Sequence, residues 1–430
     1  MKRRLLMGLT IVGVGLLSLA SVTSCGGESG NDTADIVAQA SQMSLADLEA
    51  AAEEEMTNSD DTFKVVALTS TMTSALKLFS ETYDWLPESK TYCKNDYKDA
   101  ALFTALEQAD SSYFADFALI QDARSLADYL EGGLLHNYVP SDYKEMGLAE
   151  EDTYPLKGIH FNKIFFVNNT YDLYTEKKFY NIWQVADPNG VGPAALTRLS
   201  FQDPTTERIN MSFLLSLMAP ENETMLTTSY KEYFGKDWAA SDKYKTVGEE
   251  YVYSFINNIA AFHTSDGTTM KETQYEEEAD LNPHWVYYGA YAKMKDAAKI
   301  GPEVMATVGW NLDLTGFNSF MYTMYSQIVN NAKHPYTACL FARFILTPDC
   351  YKAMCYNKIT PNKKGEESNQ YGYYYPCTNT AGVGYNDNDW SKEEWMKVSV
   401  VEDYNYLKDV STTVVEDIKT AVANRRTQLA

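Results

Sequence analysis

From residue 61 onward, the chain alternates short apolar segments of strand length with longer amphipathic segments. The segments FKVVAL (63–68), ADFALIQD (115–122) and HFNKIFFVNN (160–169) have the apolar, β-branched and aromatic content of buried strands. Amphipathic patterns separate them, among them KDAALFTALEQA (98–109). Strands separated by helices are typical of α/β domains, so the sequence predicts a mainly parallel sheet flanked by helices.

The second half of the chain continues this alternation. A short strand, LSFQ, runs into Asp203-Pro204-Thr205-Thr206, where proline in a first turn and a capping Asp or Thr predict a helix start. The segment EEYVYSFINNIAAF predicts another helix. The segment YTACLFARFILTPDCYKAMCYN (336–357) predicts a long helix that is broken at Pro348. The final segment, from SKEEW to the end, also predicts helices.

The first 24 residues have the three parts of a secretory signal. A basic MKRR precedes an apolar segment of roughly 16 residues, shorter than the about 20 that cross a bilayer, and then small residues. These end on Cys25, an order that resembles the lipobox of bacterial lipoproteins. The resemblance implies a signal peptide over 1–24 and a lipid anchor on Cys25, facing the periplasm or the cell exterior. An ordinary signal peptide with a nearby cysteine is the alternative.

Residues 25–61 are rich in Gly, Ser, Asp and Glu. This composition predicts a flexible tether between the lipid and the folded part of the chain.

The charge of the chain restricts its partners. Lys and Arg number 36 and Asp and Glu number 59, and removal of residues 1–24 takes away three basic residues and no acidic one, leaving −26. Nucleic acid and anionic membrane surfaces are therefore disfavoured, because both are bound through basic patches. A cationic or neutral solute is easier to accommodate than an anion.

The cysteines and histidines do not form a metal motif. Neither a CxxC nor an HExxH pattern occurs, so no metal site through sulfur or imidazole and no cofactor is predicted. Five cysteines remain besides Cys25, an odd number, and their pairing stays open: Cys93, Cys339, Cys350, Cys355 and Cys377.

Four segments in their order resemble the extracellular solute-binding proteins of ABC importers, specifically the type II periplasmic-binding-protein fold of the iron, thiamine and polyamine group. The segments are ADFALIQDARSLADYLEGGLLHNYVP, IFFVNN, LTRLSFQDPTTERINMSFLLSLM and IVNNAKHPYTACLFARFILTPDCYKAMCYNKITP. They cover roughly residues 63–365. Two features depart from the family: Val167 replaces its usual Tyr, and HWVYYGAYAKMKDAAK has no counterpart.

The resemblance implies two lobes, each a mainly parallel sheet flanked by helices. Lobe 1 would comprise residues 62–167 and 316–365, lobe 2 residues 168–315, and residues 366–430 would form helices that pack on the lobes. Such a protein binds a small solute in the cleft between its lobes, passes it to an ABC permease, performs no reaction and acts as a monomer.

In this fold, loops at the carboxyl ends of strands and at helix N-termini face the ligand. Polar side chains at these places are the predicted ligand contacts: Thr69, Ser70, Thr71, Gln121, Asp122, Asn168, Asn169, Asp203, Thr205 and Thr206. Helix capping is the alternative role for Thr69, Ser70, Asp203 and Thr205, and a plain turn is the alternative for the two asparagines.

Aromatic side chains are abundant, with 32 Tyr, 18 Phe and 7 Trp, and four in predicted loops or strand ends are candidate contacts. They are Tyr287, Tyr288, Trp310 and Tyr374. Such rings could stack on a sugar or a thiamine-like ring, or cap a polyamine. A pair of tyrosinates could bind a ferric ion, as in the ferric-ion binders of the group.

Two further classes of function were considered. No GxSxG, phosphate-loop or zinc motif is present, so an enzyme is not predicted. A surface glycan-capture lipoprotein of the gut-bacterial type is the alternative to a solute-binding protein. That class is mainly helical, whereas FKVVAL and ADFALI predict strands.

Overall fold

A mixed β-sheet forms the centre of the computed structural model. The structure describes residues 32–109, 112–168, 180–189, 198–265, 268–269, 284–288, 308–309, 314–355, 374–378 and 390–430. The strands are β1 (Phe63–Ala67), β2 (Thr91–Lys94), β3 (Phe117–Ile120), β4 (Leu135–His136), β5 (Lys157–Asn168), β6 (Arg198–Gln202), β7 (Ile259–His263), β8 (His284–Tyr288), β9 (Val308–Gly309), β10 (Ser319–Val329), β11 (Tyr375–Pro376) and β12 (Ser399–Val401).

The strand order explains how the sheet is built. Along its main path the order is β2-β1-β3-β10-β5-β8-β6-β7. β1 is parallel to β2 and β3, and β6 is parallel to β7 and β8. Between these two groups, β10 and β5 run antiparallel to each other over most of their length. The predicted mainly parallel pairing therefore holds within each group, and the two long central strands are the antiparallel exception.

Helices flank the sheet. The helices are α1 (Thr33–Ala40), α2 (Leu45–Thr57), α3 (Met72–Thr82), α4 (Asp99–Ala109), α5 (Ala123–Glu131), α6 (Trp183–Ala186), α7 (Arg208–Ser216), α8 (Glu223–Phe234), α9 (Val247–Asn258), α10 (Pro335–Ile345), α11 (Pro348–Cys355), α12 (Lys392–Lys397), α13 (Tyr404–Asp409) and α14 (Thr412–Leu429). Pro348 separates α10 from α11, as its ring and missing N–H predict.

Residues 33–57 correct the prediction of a flexible tether over 25–61. They form α1 and α2. In α2 the side chains of Leu48, Ala52 and Met56 are fully buried or nearly so. The carboxylate of Glu55 accepts hydrogen bonds from the backbone N–H groups of Tyr336 and Thr337 at the start of α10, at 3.1 and 2.9 Å. The acidic segment is therefore part of the folded body, because its narrow apolar stripe packs and its carboxylate caps a neighbouring helix.

Two smaller differences concern element ends. The segment EEYVYSFINNIAAF is helical only to Asn258, and its last residues enter β7, which pairs with β6. The predicted all-helical C-terminal segment contains β12, which pairs in parallel with β10. β7 adds to β6 at the end of the sheet, and β12 adds to the start of β10, where β3 does not pair; in both cases the neighbouring strand provides hydrogen bonds that local helix propensity does not outweigh.

Apolar side chains form two buried clusters. One packs α1, α2, α3, α10 and α11 against β1, β3 and β10, and it includes Phe79 and Phe341, whose ring centroids lie 5.1 Å apart. The other contains Phe213 and Phe255, with centroids 6.1 Å apart, and collects side chains from α4, α5, α7, α9 and α14. These clusters hold the carboxyl ends of β3 and β6 in place, where the polar residues of the next section lie.

Four cysteines are free thiols: Cys93, Cys339, Cys350 and Cys377. Cys25 and the side chain of Cys355 lie outside the described part of the chain. Within the described residues, no helix combines the length and apolar character needed to cross a bilayer.

Candidate functional site

The loop after β1 brings three of the predicted contacts together. The Thr69 hydroxyl lies 2.9 Å from that of Thr71 and 2.9 Å from the phenol of Tyr374, and Thr71 donates to the same phenol at 3.2 Å. All three are buried, whereas Ser70 between the two threonines is exposed. The ring of Tyr374 meets Phe161 edge-on, with centroids 4.3 Å apart. The hydroxyls of Thr69, Thr71 and Tyr374 thus form one hydrogen-bonded cluster. Because Tyr374 also contacts Phe161 of β5, this cluster joins the end of β1 to β5.

Asp122, at the end of β3, has two roles in the structure. One carboxylate oxygen accepts the N–H of Ser125 at 3.1 Å and caps α5. The other oxygen accepts Nη1 of Arg208 at 2.7 Å, and the same Nη1 donates to the Ser125 hydroxyl at 2.7 Å. Arg208 is the first residue of α7, so this ion pair links the starts of α5 and α7.

The residues after β6 form a turn rather than the predicted helix start. The Asp203 carboxylate accepts the N–H and the hydroxyl of Thr205 at 2.9 and 2.7 Å, and it pairs with Arg426 of α14. The Thr206 hydroxyl donates to the Asp203 carbonyl at 3.2 Å. Because Asp203 closes this turn on itself, α7 begins only at Arg208, several residues after Pro204.

A cavity of about 200 Å³ opens where the starts of α5 and α7 approach α14. Two predicted contacts, Asp122 and Thr205, lie in its wall. Its other polar lining side chains are Arg124, Ser125, Arg208, Ser212 and Lys419. The remaining lining is apolar and comes from Met211, Leu215, Val415 and Pro204. A cavity of this kind, an apolar wall with a few convergent polar groups, is typical of small-molecule sites.

None of the other predicted contacts whose side chains the structure describes is in the wall of this cavity. Gln121 is buried, and its backbone N–H donates to the Asp99 carboxyl at 3.4 Å. Asn168 is the last residue of β5, while Tyr287 and Tyr288 pair through their backbones with β5 from β8. The side chains of these three residues lie outside the described part, as do Asn169 and Trp310 entirely.

Two buried carboxyls near Asp122 were not predicted from the sequence. Asp99, in the first turn of α4, is fully withdrawn from water, and this burial, reinforced by Asp122, raises its pKa to about 8. Glu402, directly after β12, accepts the Thr323 N–H at 3.1 Å and the Tyr325 hydroxyl at 3.2 Å. Burial raises the pKa of Glu402 to about 8 as well, so both groups are largely protonated at neutral pH.

Arg124, Arg208 and Lys419 are the cationic residues that the sequence interpretation missed. Arg124 and Arg208 each stand at the start of a helix that follows a strand, which is the only sequence signal they carry. Lys419 lies on α14, far away in the chain, and only the packing of that helix brings it to the cavity. Across the described ranges, no group of three or more His, Cys, Asp or Glu side chains is arranged to hold a metal ion.

Comparison with known proteins gives no match in sequence. No protein-family profile matches the chain, and no curated protein matches it either.

Solved structures, by contrast, match over most of the chain. A Trichodesmium protein (IdiA, FutA) in complex with iron and citrate shares 14% identity, covers 85% of this chain and 99% of its own, and gives a TM-score of 0.56. An ABC-transporter substrate-binding protein from Bradyrhizobium japonicum shares 11% identity over 84% of this chain and 99% of its own, at 0.55. The apo ferric ion-binding protein A of Pasteurella haemolytica shares 10% identity over 85% and 98%, also at 0.55.

The chain has the α/β fold of the type II periplasmic binding proteins.

Proposed function

We propose that the protein is an extracytoplasmic solute-binding protein, held at the membrane by a lipid on Cys25, that captures a small polar ligand and delivers it to an ABC importer. Residues 62–167 with 316–365 form lobe 1, residues 168–315 form lobe 2, and residues 366–430 pack on the lobes. Ligand binding shifts the equilibrium between open and closed lobes, and no bond is made or broken.

The ion pair between Asp122 and Arg208 is the observation that carries this proposal. Asp122 belongs to lobe 1 and Arg208 to lobe 2 under these boundaries, and their side chains are 4% and 37% exposed. The pair borders the cavity that contains the predicted contact Thr205. A contact that exists only while the lobes are together favours the closed state, which is the state that retains a ligand.

The fold and the size of the cavity support the same class. Structures with this fold include a protein described as an ABC-transporter substrate-binding protein and one in complex with iron and citrate. The cavity, at about 200 Å³, fits a small solute and excludes a polysaccharide chain. This disfavours the glycan-capture alternative.

The test combines small-angle scattering with thermal unfolding on the mature protein without its lipid. A panel of sugars, amines, organic acids, thiamine and ferric citrate is added in turn, and we expect one class to reduce the radius of gyration and raise Tm. Arg208→Ala should weaken binding about five-fold, because a partly exposed ion pair contributes about 1 kcal/mol.

The matched control is Lys77→Ala, which removes one exposed positive charge of α3 and should leave binding unchanged. Scattering and Tm that stay constant over the whole panel would contradict the proposed function.

A further inference from the structure

We propose that the cavity between α5 and α7 binds the carboxylate of a small organic acid through Arg124 and Arg208. The inference rests on the proposed function and narrows the solute to one chemical class. It departs from the expectation set by the charge of the whole chain, −23, because the local charge of the cavity wall has the opposite sign.

The charges in the wall are predominantly positive. Of the described residues that line the cavity, Arg124, Arg208 and Lys419 are cationic and Asp122 is the only acid. Asp122 is already satisfied by Arg208 and by the N–H of Ser125. Lys419 forms an ion pair at 2.8 Å with Glu416, which is not among the described residues that line the cavity. Among the described lining residues, three cationic side chains therefore stand against one carboxylate, and the formal charge of the wall is positive.

Arg124 provides the most specific part of this excess. Its Nε is shielded from solvent and has no hydrogen-bond partner among the residues that the structure describes. A guanidinium offers a planar fork of donors that matches a carboxylate with two parallel hydrogen bonds.

The helix starts strengthen the same preference. α5 and α7 each have nine residues, and both begin at the cavity, with Ser125 and Arg208 in their first turns. The N-terminal end of a helix carries a partial positive charge and free N–H groups, which favour an anion. Added to the two guanidinium groups, they place positive potential on two sides of the cavity.

The size and the apolar side of the cavity favour an organic anion over an inorganic one. At about 30 Å³ for each water-sized group, 200 Å³ holds about seven such groups. Met211, Leu215 and Val415 line one side, where they would contact a carbon skeleton. A compact mono- or dicarboxylate matches both the charged and the apolar wall.

The experiment measures binding by titration calorimetry at low salt on the mature protein. The probes are a panel of mono-, di- and tricarboxylates with two to six carbons, the diamides of the dicarboxylates, putrescine and inorganic phosphate. We expect at least one carboxylate to bind, its diamide to bind at least ten-fold more weakly, and neither putrescine nor phosphate to bind as tightly. Arg124→Gln should weaken carboxylate binding about ten-fold, or about 1.4 kcal/mol, and Arg124→Lys should restore part of it.

Lys77→Gln serves as the control, since it removes an exposed charge on α3 away from the cavity. The inference is wrong if no carboxylate binds, if acid and diamide bind equally, if putrescine or phosphate binds more tightly, or if Arg124→Gln has no effect. If a different solute binds and compacts the protein, this inference fails while the proposed function stands. If nothing in either panel binds, both fail.

Discussion

Glu402 makes the stability of the protein depend on pH in a direction opposite to that of a carboxylate whose pKa is lowered by a salt bridge. Its side chain is 4% exposed, and burial raises its pKa from 4.5 to about 8. A carboxyl whose folded pKa is raised stabilises the native state fully below the unfolded pKa, and that contribution is lost as the pH rises towards the folded pKa. Stability should therefore fall between about pH 5 and pH 8.

The magnitude follows from the two pKa values of Glu402. Compared with low pH, where the carboxyl is protonated in both the folded and the unfolded state, burial of Glu402 lowers the free energy of unfolding by about 1.4 kcal/mol at about pH 5.5 and by about 4 kcal/mol at about pH 8. Each pKa unit is worth about 1.36 kcal/mol. Glu402→Gln keeps a carbonyl oxygen that accepts the Thr323 N–H and the Tyr325 hydroxyl, but cannot ionise. This variant should lose about 3 kcal/mol of the pH dependence and be more stable than the parent protein at about pH 8.

Urea unfolding at a series of pH values, followed by tryptophan fluorescence, measures this difference. Glu81→Gln on the exposed side of α3 is the matched control and should reproduce the parent profile. An identical pH slope in Glu402→Gln and the parent protein, or a Glu402→Gln variant that is less stable at about pH 8, would refute the reasoning.

Two further predictions concern the N-terminal helices and the thiols. Met56 in α2 is fully buried, so Met56→Ala should lower the free energy of unfolding by about 2–5 kcal/mol in a urea titration. A flexible tether would tolerate the substitution without a change in that free energy. Thr57→Ala, at an exposed position of the same helix, serves as the control. Cys339 and Cys377 should react with a thiol reagent only after urea unfolding, because both thiols are buried. Burial also raises the pKa of Cys377 to about 12, so little reactive thiolate forms. Fast labelling of the native protein would contradict this prediction.

Much of the central fold is predictable from the sequence because its strands are continuous apolar runs. FKVVAL and ADFALI correspond to β1 and β3. The helix α5 ends at Glu131, two residues before Gly133, whose φ of +69° suits a helix C-terminus. The tether prediction was wrong over α1 and α2 because the acidic composition hid an apolar stripe of one residue per turn, Leu48, Ala52 and Met56.

The candidate site was predictable only in part. Asp122 and Thr205 follow the predicted strands that became β3 and β6, and polar residues after buried strands are expected at one edge of the sheet. This position made both residues predictable as part of the site. The cationic residues Arg124, Arg208 and Lys419 come from three separate helices, and no local pattern marks a basic residue that packing will bring to a cavity. Their contribution depends on long-range contacts, which hydrophobic periodicity does not report.

The position of β12 has a consequence for when the protein can fold. Its residues 399–401 pair with the start of β10, and Glu402 behind it completes the hydrogen bonds of Thr323 and Tyr325 in the middle strand. The start of β10 thus pairs with residues about 80 positions later in the chain, and long-range pairing of this kind slows folding. A chain that stops before residue 399 lacks both β12 and the Glu402 acceptor, so the backbone N–H of Thr323 and the hydroxyl of Tyr325 lose that partner.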